Sequence, residues 1–412
     1  MSNSPDVIVI GAALNGLAAA VALAGTRVKR PLSVVVVDAK DPRSFSSNAF
    51  DGRASAITAA ARRMFEALGV WQAMAPDAQP MTDIIVTDSA RPGDARPVLL
   101  RFDDTDMRGK PQAHMIENRH LYAAMLTEAL ASPHISFVTG QPVTGYHFAP
   151  GLAKLTLADG QTITAPLIVA ADGRNSPARE AAGIKLNGWP YDQTGIVATV
   201  AHDLPHHGRA EEHFTPSGPF AILPLPGNRS SLVWTERTKE AQRILAMDDD
   251  SFLDQLRRRF GDHLGEVRLD SGRHGYPLAM YVADAFTATR LALAGDAAHV
   301  LHPLAGLGFN LGLRDVAALA ESVHDAAALG LDIGNQAVLE RYAIWRSFDT
   351  VATAAAMDAM SRLFANDNPA LRLLRQTGLA MVNRLGPLKQ AFVTEAAGTS
   401  GNLPKLLRGE RN

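Results

Sequence analysis

The chain has 412 residues, enough for one very large domain or two to three moderate ones. Its 47% hydrophobic and 20% charged content describes a globular protein with a sizeable core, and a net charge of −2 without a long Lys/Arg run argues against a nucleic-acid groove. The absence of cysteine excludes disulfides, thiolate metal sites and a thiol nucleophile, and fits a cytoplasmic setting. No run of about 18 apolar residues and no secretory leader are found, so any membrane contact is expected to be peripheral.

Val7–Ile10 is a β-branched run that predicts a buried strand. Gly11 and an alanine-rich helical stretch, Leu14–Ala24, follow, and then a second buried strand, Val34–Val37, closed by Asp38. Strand, glycine turn, helix, strand and acid form the opening of a dinucleotide-binding βαβ unit. The turn reads Gly-Ala-Ala-Leu-Asn-Gly, with Gly11 and Gly16 at its ends, Ala13 in place of the middle glycine, and Asn15 before the last position. Asp38 lies 22 residues beyond Gly16, near the spacing at which an acid meets a ribose. Taken alone, the stretch fits a plain βα turn equally well. Asp51-Gly52-Arg53 precedes a helix expected to run to Leu68–Gly69, and the guanidinium of Arg53 offers a fixed fork of donors suited to phosphate. Glu117-Asn118-Arg119-His120-Leu121 opens another helix, on which Arg119 could equally be a solvated side chain.

Leu167–Ala170 is a further apolar run, ending in Ala171-Asp172-Gly173-Arg174-Asn175-Ser176 with Arg179 shortly after; a turn with an aspartate N-cap fits it too. From Ile184 to about Pro277 the pattern changes to short strands of an antiparallel sheet: Gly195–Val200, Glu212–Phe214, Phe220–Leu223 and Ser231–Thr235. Phe220, Leu223 and Trp234 are candidates for a substrate pocket, and a core role suits the two aromatics as well. Tyr191, His213 and Tyr276 are polar rings in this region, and none stands out as a base.

Leu291–Asp315 is the most informative segment. Leu291–Ala294 reads as a strand ending at Gly295-Asp296; a loop with Pro303, Gly306, Leu307 and Gly308 follows, and a helix is expected from about Asn310. Glycines packed that closely before a helix let backbone N–H groups approach a flat or anionic ligand. The carboxylate at the strand end can accept from a sugar hydroxyl. His299 and His302 could be read as a metal pair, but their spacing is three rather than the four of HExxH, no carboxylate partner is evident and loop packing explains them better, so no metal is expected. Beyond Ala337, Leu339–Met360 and Pro369–Phe392 carry apolar residues at helical spacing, and residues after about Gly398 are expected to fray.

The string GDAAHVLHPLAGLGFNLGLRD resembles the second FAD motif of single-component aromatic-ring flavin monooxygenases, in particular the ubiquinone-biosynthesis hydroxylases. The stretch from Asp172 resembles their DGxxSxxR motif, that from Asp51 their DxRxxAL pattern, and the tail their C-terminal region. The resemblance implies an α/β fold: a βαβ FAD-binding domain (1–75, 112–183 and 285–335), an inserted antiparallel-sheet substrate domain (76–111 and 184–284) and a C-terminal helical region (336–412). It implies that Gly11, Ala13, Asn15, Gly16, Asp38, Arg53, Asn118, Asp172, Gly173, Gly295 and Asp296 bind FAD. Pro303, Gly306, Leu307, Gly308 and Asn310 are implied beside the isoalloxazine, with Pro303, Gly306 and Gly308 next to the chemistry. It further implies NADH or NADPH as electron donor, O2 as co-substrate and a hydrophobic prenylated phenol as substrate. Partners in a biosynthetic complex, or a membrane surface, could meet the C-terminal region. An FAD enzyme acting on another aromatic substrate, an FAD oxidoreductase that inserts no oxygen, and a non-catalytic scaffold remain as alternatives.

Overall fold

The computed structural model describes residues 4–43, 52–89, 96–103, 105–106, 109–301, 307–364, 378 and 385–412. Val7–Ile10 is fully buried and pairs in parallel with Val34–Asp38 on one side and Leu167–Ala170 on the other. Leu291–Leu293 and Ile135–Thr139 extend this parallel set, and Thr287–Ala288 adds an antiparallel edge to complete six strands. These strands read as unbroken apolar runs because both faces are covered, by the helix Leu14–Ala24 and by a three-stranded antiparallel sheet, Val143–Phe148, Ala153–Leu157 and Thr162–Ala165, that packs into the same core. The alanines of Leu14–Ala24 have a similar cause. That helix is buried from Gly16 to Ala24, pressed between the sheet and the helices Asn118–Ala131 and Leu307–Ala328, where only small side chains fit.

A second, nine-stranded sheet is built from two separate stretches of chain. Its order is His299–Val300, His274–Ala283, Leu186–His202, Arg229–Arg237, Gly218–Leu225, Arg209–Thr215, Asp83–Asp88 and Val98–Phe102, with Val267–Leu269 paired to Leu186–His202. The expected strands all lie within it. It is antiparallel except where Asp83–Asp88 runs parallel to Arg209–Thr215; that strand arrives from a distant segment, so no hairpin dictates its direction.

Two helices, Thr238–Leu245 and Asp249–Phe260, interrupt the region expected to hold strands alone. The second carries its own start and stop signals: Asp248 caps Ser251 N at 2.8 Å, Asp249 and Asp250 occupy the first turn, and Arg257–Arg259 the last. Their apolar sides cover one face of the large sheet, burying Ile196, Phe220, Ile222 and Trp234 against Ile244, Phe252 and Leu256. A three-stranded sheet, Ala54–Thr58, Ala113–Glu117 and Gln79–Met81, faces the opposite side. The first of these strands stands between Arg53 and the helix Ala59–Leu68, which the sequence reading joins directly.

At the C-terminus, Gln336–Phe364 is one long helix, followed by Gly386–Ala396 and Lys405–Arg408. Most of the helix expected from Pro369 lies outside the described residues. The last residues do not fray as expected: Leu406 and Leu407 are buried against the helix Ala59–Leu68. Among the described residues no helix is long and apolar enough to cross a membrane.

Candidate cofactor and substrate site

Three turns and Asp38 meet at the carboxyl ends of the parallel strands, where ligands bind in open α/β sheets. Gly11 has φ +97°, and a Cβ there would lie 2.4 Å from Ala171 O. A Cβ on Gly16 would lie 1.8 Å from Gly11 O. Both glycines are therefore required by the close approach of turn, helix and neighbouring strand. Ala13 has φ −77°, which any residue adopts, and is the exposed N-cap of the helix Leu14–Ala24. Its methyl cannot cap the first N–H groups, which keeps them available for an anion. Asp38 braces the turn: its carboxylate accepts from Ala12 N at 2.7 Å and Lys40 N at 2.8 Å.

Asn15 locks this turn to the third one. A Cβ on Gly295 or Gly312 would come within 2.1 or 2.4 Å of the Asn15 side chain, so both glycines leave room for that amide. The Gly295 loop is held from behind by Asp315, whose Oδ2 accepts from Gly295 N at 3.0 Å and pairs with His299 Nε2 at 2.6 Å. Asp315 Oδ1 accepts from Arg346 Nε at 2.8 Å, and Arg346 and Arg314 share Asp349. Burial pushes the Asp315 carboxyl up, but His299 and Arg346 outweigh it and leave it below the usual carboxylate range. His302 lies outside the described residues.

Asp296 projects from this loop and is exposed, between the buried Gly295 and Ala297. Desolvation raises its carboxyl above the usual range, moderated by the charges of His299 and Arg53. Arg53 lies over the ring of Tyr276 at 5.7 Å. Asn118 donates its backbone N–H to Arg53 O at 2.9 Å and accepts from Ser55 Oγ at 2.7 Å. Asn310 accepts from Thr58 N at 3.0 Å and donates to Ala56 O at 2.6 Å. These two amides fasten the strand that follows Arg53.

In the second turn, Asp172 Oδ2 accepts from Ala178 N at 3.4 Å, while the buried Oδ1 has no partner among the described residues. Burial raises this carboxyl. The cap of the following helix is Ser176, not Asp172. Arg179 is buried and donates to Arg174 O at 2.9 Å and Ala297 O at 3.1 Å, tying the second turn to the third. Gly173 and Gly308 have open space where a side chain would stand. Leu307 begins the helix Leu307–Ala328, and Pro303 and Gly306 lie outside the described residues.

Phe220 and Trp234 are 1% and 2% exposed, packed edge to face at 6.0 Å beneath the two inserted helices. They build that core and do not line a pocket at the cofactor side. Leu223 is half-buried on the opposite face, among Met81, Met115 and Leu225. Tyr191 donates to Asp358 at 2.7 Å, and His213 bridges Thr87 and Ser89, with burial lowering it to about 4. Two residues passed over in the sequence reading emerge here. Asp315 closes the NLGLRD string, which carried its signal. Glu212 had no such signal beside Glu211, and only the fold separates the two.

The donors at a helix start, an orphaned Asp172 oxygen, the exposed Asp296 near the charge of Arg53 and the open glycine surfaces fit a long, anionic dinucleotide with a flat ring. Fold and site together define a dinucleotide-binding α/β protein, and its family and relatives make it a flavin-dependent monooxygenase, an aromatic hydroxylase that uses FAD, NAD(P)H and O2. The chain belongs to the family of the FAD binding domain, whose family model matches residues 4–348. It is 44% identical over 407 residues to ubiquinone hydroxylase UbiL of Rhodospirillum rubrum, covering 98% of this chain and 92% of that one. It is 32% identical over 404 residues to 3-demethoxyubiquinol 3-hydroxylase of Escherichia coli, covering 97% and 100%. The fold is similar to that of p-nitrophenol 4-monooxygenase PnpA from Pseudomonas putida, with a TM-score of 0.79, 17% identity, and coverage of 98% and 100%.

Proposed function

We propose that the protein hydroxylates the aromatic ring of a polyprenylated phenol in ubiquinone biosynthesis, with NADH or NADPH as electron donor. The observation that carries this reading is the likeness, over nearly the whole chain, to two ubiquinone ring hydroxylases. FAD, when bound, supplies the redox chemistry and the activation of O2. The chain supplies binding, orientation and exclusion of water. In this reading the helix start at Gly11, Ala13, Asn15 and Gly16 takes the pyrophosphate, with Asp172 and Gly173 beside it. Arg53 reaches the phosphates, and Gly295 and Asp296 hold the ribitol. Asp38 braces the turn near a ribose. Leu307 and Gly308, with Pro303 and Gly306, border the ring, while Asn118 and Asn310 act by holding the strand after Arg53.

Sheet membership supports a division into an FAD domain, a substrate domain under the large sheet and a C-terminal helical region. Peripheral contact, with a membrane or a complex partner in the cytoplasm, is supported by one face of the helix Gln336–Phe364. Ile344, Phe348 and Val351 are 76, 83 and 55% exposed there, at spacings of four and three residues.

The test is expression in bacterial strains that each lack one ubiquinone ring hydroxylase, with quinone intermediates profiled by mass under ¹⁸O₂. The expected result is loss of the accumulated phenol in at least one strain and one labelled oxygen on the product ring. An FAD-replete protein that clears no intermediate in any strain sinks the proposal.

A further inference from the structure

Along Arg209–Thr215 the side chains alternate between two environments. Glu211 and His213 face the side covered by the inserted helices, where Glu211 pairs with His263 at 2.9 Å and His213 with Thr87 and Ser89. Ala210, Glu212 and Phe214 face the other side, toward the cofactor-binding half of the molecule. Ala210 packs with Met81, Met115 and Leu225. Phe214 packs with Met357, Met360 and Leu363 of the long C-terminal helix. Contacts therefore close this face at both ends, and Glu212 stands between them with Val86 and Ala221 as its lateral neighbours. Glu212 is half-buried on this face, and Ala210 beside it shares a cluster with Ala56, whose carbonyl accepts from Asn310 at 2.6 Å. Among the described residues Glu212 has neither a hydrogen-bond donor nor a cation.

We propose that Glu212, on this face of the sheet, is the base that accepts the phenolic proton of the substrate. The proposal rests on the hydroxylase reading above. The phenolic O–H bond breaks, its electron pair stays on oxygen, and the proton passes to a Glu212 carboxylate oxygen. The electron-rich ring then takes one oxygen atom derived from O2. When that ring carbon loses its hydrogen as a proton, Glu212 returns its own proton to the phenolic oxygen and is again a carboxylate. Overall, phenol, O2, NAD(P)H and one proton give the dihydroxybenzene, water and NAD(P)⁺.

Two physical arguments support the assignment. A half-buried carboxylate held in apolar surroundings without a partner is costly, and such groups persist where a ligand uses them. Desolvation alone raises Glu212 to about 7, which suits a base working near neutrality on a phenol of much higher pKa. The charged groups of neighbouring elements are engaged elsewhere: Asp83 with Arg101 and Arg209, Asp358 with Tyr191 and Arg362, and Lys389 with Asp106. None contributes to the shift.

The test uses purified holoenzyme and the phenol that the wild-type chain clears in the deletion strains. Wild-type hydroxylation should rise with pH through an ionisation near 7. Glu212→Gln should retain FAD yet lose roughly 10²–10⁴-fold in kcat at pH 7.5. Its rate should recover at alkaline pH, where the phenol ionises unaided. Glu212→Asp, which keeps a carboxylate, should retain part of the rate and the limb near 7, and serves if the glutamine variant fails to fold. An FAD-loaded Glu212→Gln enzyme with wild-type rate and pH profile overturns the base while leaving the hydroxylase reading intact. The absence of an ionisation near 7 in both wild type and Glu212→Asp overturns it too. A wild-type chain that clears no phenol overturns both.

Discussion

Gly312 sits inside a helix, where alanine is ordinarily favoured by about 1 kcal/mol. Here a methyl group would meet the Asn15 amide at 2.4 Å, so the sign should reverse. Gly312→Ala should cost about 1–3 kcal/mol and lower FAD retention. In an Asn15→Ala background the same change should become neutral or stabilising, which thermal melts of the four proteins can read as a double-mutant cycle. Glu212 offers a second test at this scale. Its carboxyl is raised from 4.5 to about 7 in the fold, so the native state favours the protonated form. Stability from this group is fully present below about 4.5 and is lost as pH rises through 7. Glu212→Gln should therefore raise the melting temperature at pH 8 and leave it nearly unchanged at pH 4.5. Gly11, Gly16 and Asp296 were legible in the sequence because a glycine or an acid at a strand end has few other uses. Glu212 was not legible, because the two-residue alternation that separates it from Glu211 acquires meaning only once each sheet face has a neighbour.

The helices Leu307–Ala328 and Gln336–Phe364 are joined by buried charges rather than by apolar packing alone. Asp315 is 0% and Arg346 3% exposed, and each depends on the other for compensation. Removing one partner leaves a buried charge unpaired, so Asp315→Asn or Arg346→Met should cost about 3–5 kcal/mol in chemical unfolding. The loss should also show as FAD release, since Asp315 holds Gly295. Asp315 and Asp349 both lie below the usual carboxylate range, because basic partners outweigh their burial. Their contribution is present above about pH 4 and is lost as pH falls through the depressed values. Melts between pH 3 and 5 should therefore be steeper in pH for the wild type than for Asp315→Asn. Sequence periodicity located most elements but joined Arg53 directly to its helix and overlooked Asp249–Phe260. In the first case a short strand pairs with a partner far along the chain. In the second, the capping aspartates and terminal arginines were present, but the surrounding strand pattern masked them.

At the level of the whole molecule, the two-sheet plan followed from motif order, whereas the composition of the large sheet did not. Asp83–Asp88 and Arg209–Thr215 pair in parallel across a long sequence separation, and no local pattern announces such a partner. The exposed stripe at Ile344, Phe348 and Val351 also belongs to this scale. Replacing the three by serine should abolish flotation with anionic lipid vesicles, or recovery of a complex partner, while turnover of a short-tailed phenol stays unchanged. If both measurements match the wild type, the stripe is not a contact surface.

The chain from Leu291 to Val300 leaves the parallel sheet and enters the large antiparallel sheet within a few residues, with Asp296 at the crossing. One stretch of backbone thus serves as a structural member of both halves, with little slack between them. In the proposed reading Asp296 holds the ribitol, so a displacement of the large sheet should reach the cofactor without an intervening hinge. The absorption spectrum of the bound flavin should then report what occupies the other half, readable in a cuvette without labelling either partner.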